Sequence, residues 1–309
     1  MKRFTRKTNS NLRLLRARQN NLLGMRFPEE AHIVSRLVLE AADEILRIYR
    51  SEFSVREKTK GDPVTEADLV ANRILIEGIR KKFGDPVFSE EELLPFDQET
   101  HRFGRVWILD PIDGTREFVA KNPEFALSLG LVREGRPVFG IIMNPASGEF
   151  FWGRENVGAG YQVIEPPFTS REIDWNTSHK FLEDAEIHSL KEILVSVSET
   201  RAGLFDMTGF GTQYKTKATG SIAYKLALVA VAKAPLTLSL RPKNDWDIAG
   251  GVAILRASGG SDIEIKTGLP FDFLKSKLSV GLLAGKREIV QEFWKDNRAR
   301  LQGSVRESW

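Results

Sequence analysis

The 309 residues hold 45 Lys or Arg against 42 Asp or Glu, no cysteine, and no apolar run long enough to span a bilayer. That excludes disulfides, thiolate metal sites and a cysteine nucleophile, predicts no stable membrane insertion, and leaves enough chain for one large or two modest domains. The charge is uneven: residues 1–24 carry seven basic residues (Lys2, Arg3, Arg6, Lys7, Arg13, Arg16, Arg18) and no acid, so the remainder is net acidic.

Such a basic head has the character of a nucleic-acid arm, a membrane-surface arm or a transit peptide. Met25, just before the first clean helical pattern, offers a simpler reading. Residues 1–24 are then an extension ahead of the working chain, and no nucleic-acid partner is expected. The organisation expected is an N-terminal α+β half over 25–164 and a C-terminal α/β half over 165–309, in a cytoplasmic protein.

From Pro28 to Arg50, Ile33, Val34, Leu37, Val38, Ala41, Ala42, Ile45 and Leu46 recur at helical spacing. A loop punctuated by Gly61 and Pro63 follows. Thr65 with Asp68 then forms a carboxylate variant of the capping box, opening a helix that runs to Phe83 and stops at Gly84. Val87-Phe88 is a short apolar pair followed by Ser89-Glu90-Glu91-Glu92. Val106 to Leu109 reads as a buried strand that breaks at Asp110-Pro111-Ile112-Asp113-Gly114-Thr115, with a helical turn at Arg116–Phe118. Strands are expected over Phe125–Val132, Val138–Met143 and Glu149–Trp152, with a continuation near Gly158. Residues 165–190 are polar and aperiodic. Ile193–Val197 and Leu236–Leu240 read as strands, Ile222–Val231 and Ile248–Ala257 as helices.

Three acidic groups stand at element ends: Glu90/Glu91, Asp110/Asp113 and Asp247. Two carboxylates three apart at the mouth of a buried strand do not both stay ionised without cations between them. Without His or Cys at metal-ligand spacing, hard oxygens select Mg²⁺, Mn²⁺ or Ca²⁺ over zinc. Such ions would attract phosphate oxygens, and the amides of Gly114 and Thr115 could cradle one as well. Each acid also has a plainer reading: an Asx turn at Asp110, a helix cap at Asp68 and Asp247, a solvated face at Glu90–Glu92.

Four motifs in order then resemble the inositol monophosphatase superfamily: Pro63-Val64-Thr65-x-Ala67-Asp68, Ser89-Glu90-Glu91, Trp107-Ile108-Leu109-Asp110-Pro111-Ile112-Asp113-Gly114-Thr115, and Trp246-Asp247-x-Ala249-Gly250. The resemblance implies an α+β fold, a layered α-β-α-β-α sandwich, and a Mg²⁺-dependent, typically lithium-sensitive phosphomonoesterase. It implies that Glu90, Asp110 and the Ile112 carbonyl hold one Mg²⁺, that Asp110, Asp113 and Asp247 hold a second, and that Glu90 with Asp68 helps hold a third. Glu90 and Thr115 would orient and deprotonate the attacking water.

Asp113-Gly114-Thr115-Arg116-Glu117-Phe118 further resembles bacterial 3′(2′),5′-bisphosphate nucleotidases. Lys225 falls where those enzymes carry a basic residue. Ahead of Trp246, where inositol enzymes place a sugar-binding Glu, this chain offers Arg241 and Lys243 nearby, better suited to a second phosphate. Two departures are Ser89 in place of the commoner Gly, and a Gly220-Ser221 pair offset by one residue. The resemblance thus implies hydrolysis of 3′-phosphoadenosine 5′-phosphate to AMP, with Asp113, Gly114, Thr115, Lys225, Arg241 and Asp247 around the substrate. Plain surface charge is the competing reading for Lys225 and Arg241. Inositol-1-phosphate or a sugar bisphosphate is the competing substrate, and a non-catalytic phosphate sensor the competing class. The sensor reading is disfavoured by the presence of both Glu90 and Thr115. A monomer or homodimer acting on a small phosphorylated substrate is expected.

Overall fold

The computed structural model describes residues 29–59, 62–92, 104–186, 190, 192–274 and 279–306. The basic head 1–24 and residues 93–103 lie outside them.

Helix α1 (Glu29–Tyr49) buries Val34, Val38, Ala41, Ala42 and Ile45, while Ile33 at the edge of the stripe stays at the surface. The expected loop after it is instead a hairpin of β1 (Val55–Thr59) and β2 (Asp62–Thr65). Helix α2 (Glu66–Phe83) starts at the predicted capping box and stops at Gly84, whose φ of 70° needs glycine. A six-stranded sheet follows, built from β3 (Val87–Ser89), β4 (Val106–Asp113), β5 (Ala126–Arg133), β6 (Arg136–Asn144), β7 (Glu149–Arg154) and β8 (Gly158–Val163), with α3 (Thr115–Val119) after β4. Its strands lie in sequence order; β3 and β4 are parallel, the rest antiparallel.

The aperiodic stretch after residue 164 is pinned to α1, because Asp43 accepts from the amides of Phe168 and Thr169 and from the Thr169 hydroxyl. Beyond α4 (Phe181–Asp184) comes a five-stranded sheet in the order β10-β9-β11-β13-β12. Its members are β9 (Ile193–Ser196), β10 (Thr216–Thr219), β11 (Leu236–Lys243), β12 (Gly260–Glu264) and β13 (Ser279–Lys286). The first three in spatial order run parallel, and β13 pairs antiparallel with both β11 and β12. Short helices α5 (Val197–Arg201), α6 (Leu204–Met207) and α7 (Phe210–Gln213) separate β9 from β10. Helix α8 (Ile222–Ala230) precedes β11, α9 (Asp245–Ala257) follows it, and α10 (Arg287–Ser304) closes the described chain. The sequence reading assigned neither β10, β12 and β13 nor α5–α7 and α10.

Alternation along the strands sets the layers, since successive side chains face opposite sides of a sheet. Trp107, Leu109, Leu129 and Ile141 pack with α1 and α2. Val106, Ile108 and Ile142 face the other way, into a core with Leu226 of α8 and Val252 of α9. Leu194, Leu282 and Ala284 of the second sheet close that same core from below. Ile193, Val195 and Leu283 point away again, onto Phe205, Phe210, Phe293 and Leu301. The result is the α-β-α-β-α sandwich. Among the described residues no helix is long and apolar enough to cross a membrane.

One close approach positions the site. A Cβ added at Gly140 would come within 2.2 Å of the Gly250 carbonyl oxygen, and one at Gly153 within 2.5 Å of Ile254 Cα. The backbone of α9 therefore lies directly on the first sheet, and its N-terminal Asp247 is held at a fixed height above β4.

Candidate active site

The sequence predicts that β4 ends at Leu109. It continues instead to Asp113 through a bulge: Asp110 pairs with Ser128, and three residues later Asp113 pairs with Ala126, two residues back. In a regular strand, positions three apart face opposite sides. One inserted residue restores the parity and brings both aspartates to the same face. The apolar neighbours agree, because Leu109 and Ile112 both pack on the α1/α2 side. Asp110 is 1% exposed and accepts from the Ile112 amide at 3.0 Å.

Glu90 follows β3, with its amide on the Leu109 carbonyl at 3.2 Å, and its carboxylate is close enough to raise that of Asp110. Lys58 of β1 reaches over from the hairpin, 2.9 Å from Glu90 and 2.5 Å from Glu91. Ser89 Oγ donates to Asn72 of α2 at 2.5 Å, which ties the strand end to the helix.

Asp68 proves to be a cap and more. Its Oδ2 accepts from the Thr65 amide (2.8 Å) and hydroxyl (2.6 Å). Its Oδ1 lies 3.4 Å from the Thr115 hydroxyl, which also donates to the Ile112 carbonyl at 3.0 Å. Asp247 repeats the device in α9, where the Asn244 amide donates to its Oδ2 at 2.7 Å. In both helices a capping box fixes the carboxylate's rotamer.

Asp113 is held from the second half of the chain. Its Oδ2 accepts from the Ser221 hydroxyl at 2.5 Å and the Ala223 amide at 2.6 Å, at the start of α8. Lys225 lies behind that turn. It is 1% exposed, and its Nζ donates to the carbonyls of Thr219, Gly220 and Ser221. An enclosed ammonium with its three protons on carbonyls has none for a second phosphate, so neither surface charge nor a phosphate grip describes Lys225. Lys243 is also buried, donating to the carbonyls of Arg241 (3.2 Å) and Pro242 (2.9 Å) and lying 3.9 Å from Glu199. Arg241 is half-buried, and its Nε has no hydrogen-bond partner.

The electrostatics are those of crowded acids. Burial, then the charges of Glu90, Asp113 and Asp247, hold the Asp110 carboxyl well above its ordinary range. Burial and Asp113 do the same to Asp247, against the pull of Lys243. Asp113 is raised by burial and restrained by Ser221, Ala223 and Lys225. Burial pushes Asp68 up to about 6 and Glu91 to about 7. Lys225 is drawn down to about 8 by burial, only partly opposed by Asp113 and Glu199.

Among the described residues, no three acids or histidines close around one point as a finished metal cage. What they form is a floor of hard oxygens, without sulfur or imidazole, whose mutual repulsion a divalent cation would relieve. That donor set fits Mg²⁺-like ions. The sequence assigns neither Lys58 nor Ser221 to the site, and gives Glu91 as one of the acids at the end of β3 without a role as a ligand. The hairpin that brings Lys58, and the parallel pairing that brings Ser221, are tertiary facts without a local signal.

Residues 29–302 match the inositol monophosphatase family. The chain is 30% identical over 254 residues to the 3′(2′),5′-bisphosphate nucleotidase CysQ of Escherichia coli K12, covering 78% of this chain and 92% of that protein. It is 30% identical over 232 residues to a fructose-1,6-bisphosphatase/inositol-1-monophosphatase of Thermotoga maritima, covering 72% and 80%. The crystal structure of CysQ from Bacteroides thetaiotaomicron superposes with a TM-score of 0.67 at 26% identity, over 85% of this chain and 99% of that one. A match across most of the chain, on a fold that gathers the four motifs at one strand mouth, makes the protein a member of the inositol monophosphatase family, a phosphatase of a metal-dependent kind.

Proposed function

We propose that this phosphatase uses Mg²⁺ to hydrolyse 3′-phosphoadenosine 5′-phosphate to AMP and inorganic phosphate. The observation that carries the reading is the convergence of Glu90, Asp110, Asp113 and Asp247 beside the Thr115–Asp68 pair. Glu90, Asp110, the Ile112 carbonyl, Asp113 and Asp247 would hold two ions, with Asp68 helping toward a third. When bound, the ions polarise the phosphate and lower the pKa of water.

The chain's own groups do the rest. The Thr115 hydroxyl, set between Asp68 and the Ile112 carbonyl, orients the water. Asp68, whose Oδ1 lies 3.4 Å from that hydroxyl, is the acceptor that can draw a proton through Thr115. The water oxygen bonds to phosphorus as the ester P–O bond breaks; the proton it gives up passes through Thr115 to Asp68, which returns it to solvent as the leaving alkoxide takes one from solvent water. The amides of Gly114 and Thr115 would take a phosphate oxygen. Arg241, half-buried with an enclosed Nε that no protein group takes, is the cation proposed for the second phosphate.

The nucleotide reading is supported by the identity to the nucleotidase and by the Asp113–Phe118 motif. The burial of Lys225 removes one of its supports and favours, as a second reading, inositol-1-phosphate or a sugar bisphosphate, in keeping with the Thermotoga relative. The test is phosphate release with Mg²⁺ from all three esters side by side. The highest kcat/KM on the bisphosphate nucleotide supports the first reading; preference for either other ester replaces it.

A further inference from the structure

Three backbone carbonyls in a row, those of Thr219, Gly220 and Ser221, point at one buried spot, and the Lys225 ammonium fills it at 2.8, 3.3 and 3.0 Å. The turn they belong to is strained and crowded. Ser221 adopts φ 49°, ψ 121°, a region closed to most non-glycine residues. A Cβ at Gly220 would come within 2.4 Å of the Glu124 carbonyl oxygen. The Gly220 amide is tied to the Glu124 carboxylate at 2.9 Å.

Lysine at this place runs against local preference. Side chains on a helix lean toward its N-terminus, so Lys225, four residues after Ser221, reaches back to the start of α8. That is the positive end of the helix dipole, where a cation is disfavoured. What offsets this is the set of three carbonyls, of which that of Ser221 also takes the Lys225 amide at 3.2 Å, together with the nearby Asp113 charge.

We propose that Lys225 is a positioning residue: by gathering the Thr219, Gly220 and Ser221 carbonyls it holds the turn whose Ser221 hydroxyl and Ala223 amide aim Asp113 into the acidic floor. The turn is also a joint between the two halves of the chain, since Ser221 and Asp113 stand 108 residues apart in sequence. The inference rests on the reading of Asp113 as a metal-holding residue. It assigns Lys225 no contact with substrate.

The test uses the full chain with Lys225→Met, which keeps bulk and removes the ammonium, and Ser221→Ala, which keeps the lysine and removes the hydroxyl. For each, kcat and KM are measured on every ester the parent protein hydrolyses, and Mn²⁺ affinity is measured by titration of the metal-free protein. For Lys225→Met the expected result is a fall in kcat of about tenfold or more on all esters alike, KM nearly unchanged, and Mn²⁺ affinity weakened by about tenfold. Ser221→Ala should give the same pattern, and carries the test alone if Lys225→Met does not fold. A rise in KM confined to the two-phosphate ester would overturn the proposal and return Lys225 to the substrate. So would parental kcat and Mn²⁺ affinity in either variant. If the parent releases phosphate from none of the esters, the substrate reading fails, and the Mn²⁺ titrations still decide the role of Lys225.

Discussion

Lys58, beside Glu90 and Glu91, and Lys225, behind Asp113, stand at two sides of the acidic floor and are shifted in opposite directions. Lys58 comes from the β1–β2 hairpin, partly open to solvent, and ion-pairs directly with Glu90 and Glu91. Burial alone would lower it, but the two carboxylates outweigh burial and hold the ammonium above its ordinary value. Lys225 is enclosed, meets carbonyls rather than carboxylates, and falls to about 8. A cation beside an acidic floor is thus an exchangeable counter-ion where water can replace it, and part of the framework where water cannot.

The strongest way to break the comparison is to change the floor itself. Asp110→Asn should reduce turnover of every ester beyond the roughly 100-fold that outer-sphere partners cost. It should also stabilise the protein in chelator. Asp110 is raised in the folded state, so the folded form binds more protons than the unfolded, and stability is lost as pH climbs from the ordinary carboxylate range through the folded value. Asp68 and Glu91 act in the same sense, over roughly 4 to 6 and 4.5 to 7. Glu149, lowered because Lys233, Tyr224 and Ser147 outweigh burial, acts in the opposite sense. In chelator the parent should therefore melt below Asp110→Asn at pH 8, with the gap closing toward pH 5. A parent that melts above the variant at pH 8 would contradict the crowding.

Arg241 sharpens the contrast, because it keeps the unspent donor that Lys225 lacks. Arg241→Ala should lower kcat/KM for the bisphosphate nucleotide tenfold to a hundredfold, about the 1.5–3 kcal/mol of a charge-assisted contact, and leave a single-phosphate ester nearly untouched. Equal effects on both esters would remove Arg241 from the second phosphate.

The two lysines should also separate in stability. Lys225→Met removes the three ammonium hydrogen bonds to the Thr219, Gly220 and Ser221 carbonyls, a loss of about 1–3 kcal/mol in denaturant unfolding with chelator present. Lys58→Ala removes two partly exposed ion pairs and should cost less, about 1 kcal/mol. The smallest effect expected is in ion affinity: freeing Glu90 and Glu91 from Lys58 should tighten Mn²⁺ binding by less than about tenfold. Looser binding in Lys58→Ala would show that the hairpin lysine supports the ion rather than competing with it.

Much of this protein was determined locally. The amphipathic stripe of α1, the Thr65/Asp68 capping box, the stop at Gly84 and the meander from Phe125 to Trp152 are written in period and punctuation, and the structure has them within a few residues. Helix α10 carried a similar periodic signal, with Ile289, Val290, Phe293 and Leu301 buried, yet was not assigned. The short parallel strand β10 had no signal to find, because Lys217 and Ala218 lie exposed at a sheet edge. The acids of the site were legible as residues; their convergence was not. Asp110 and Asp113 share a face only through a bulge whose register is set by β5, and Asp247 reaches them only because Gly140 and Gly153 let α9 lie against the sheet. Lys225 shows the limit most plainly. Its charge is read directly from the sequence, but whether a charge meets a substrate or three carbonyls depends on which backbone groups the fold leaves unpaired beside it, and that is decided only when residues far apart in the chain are packed together.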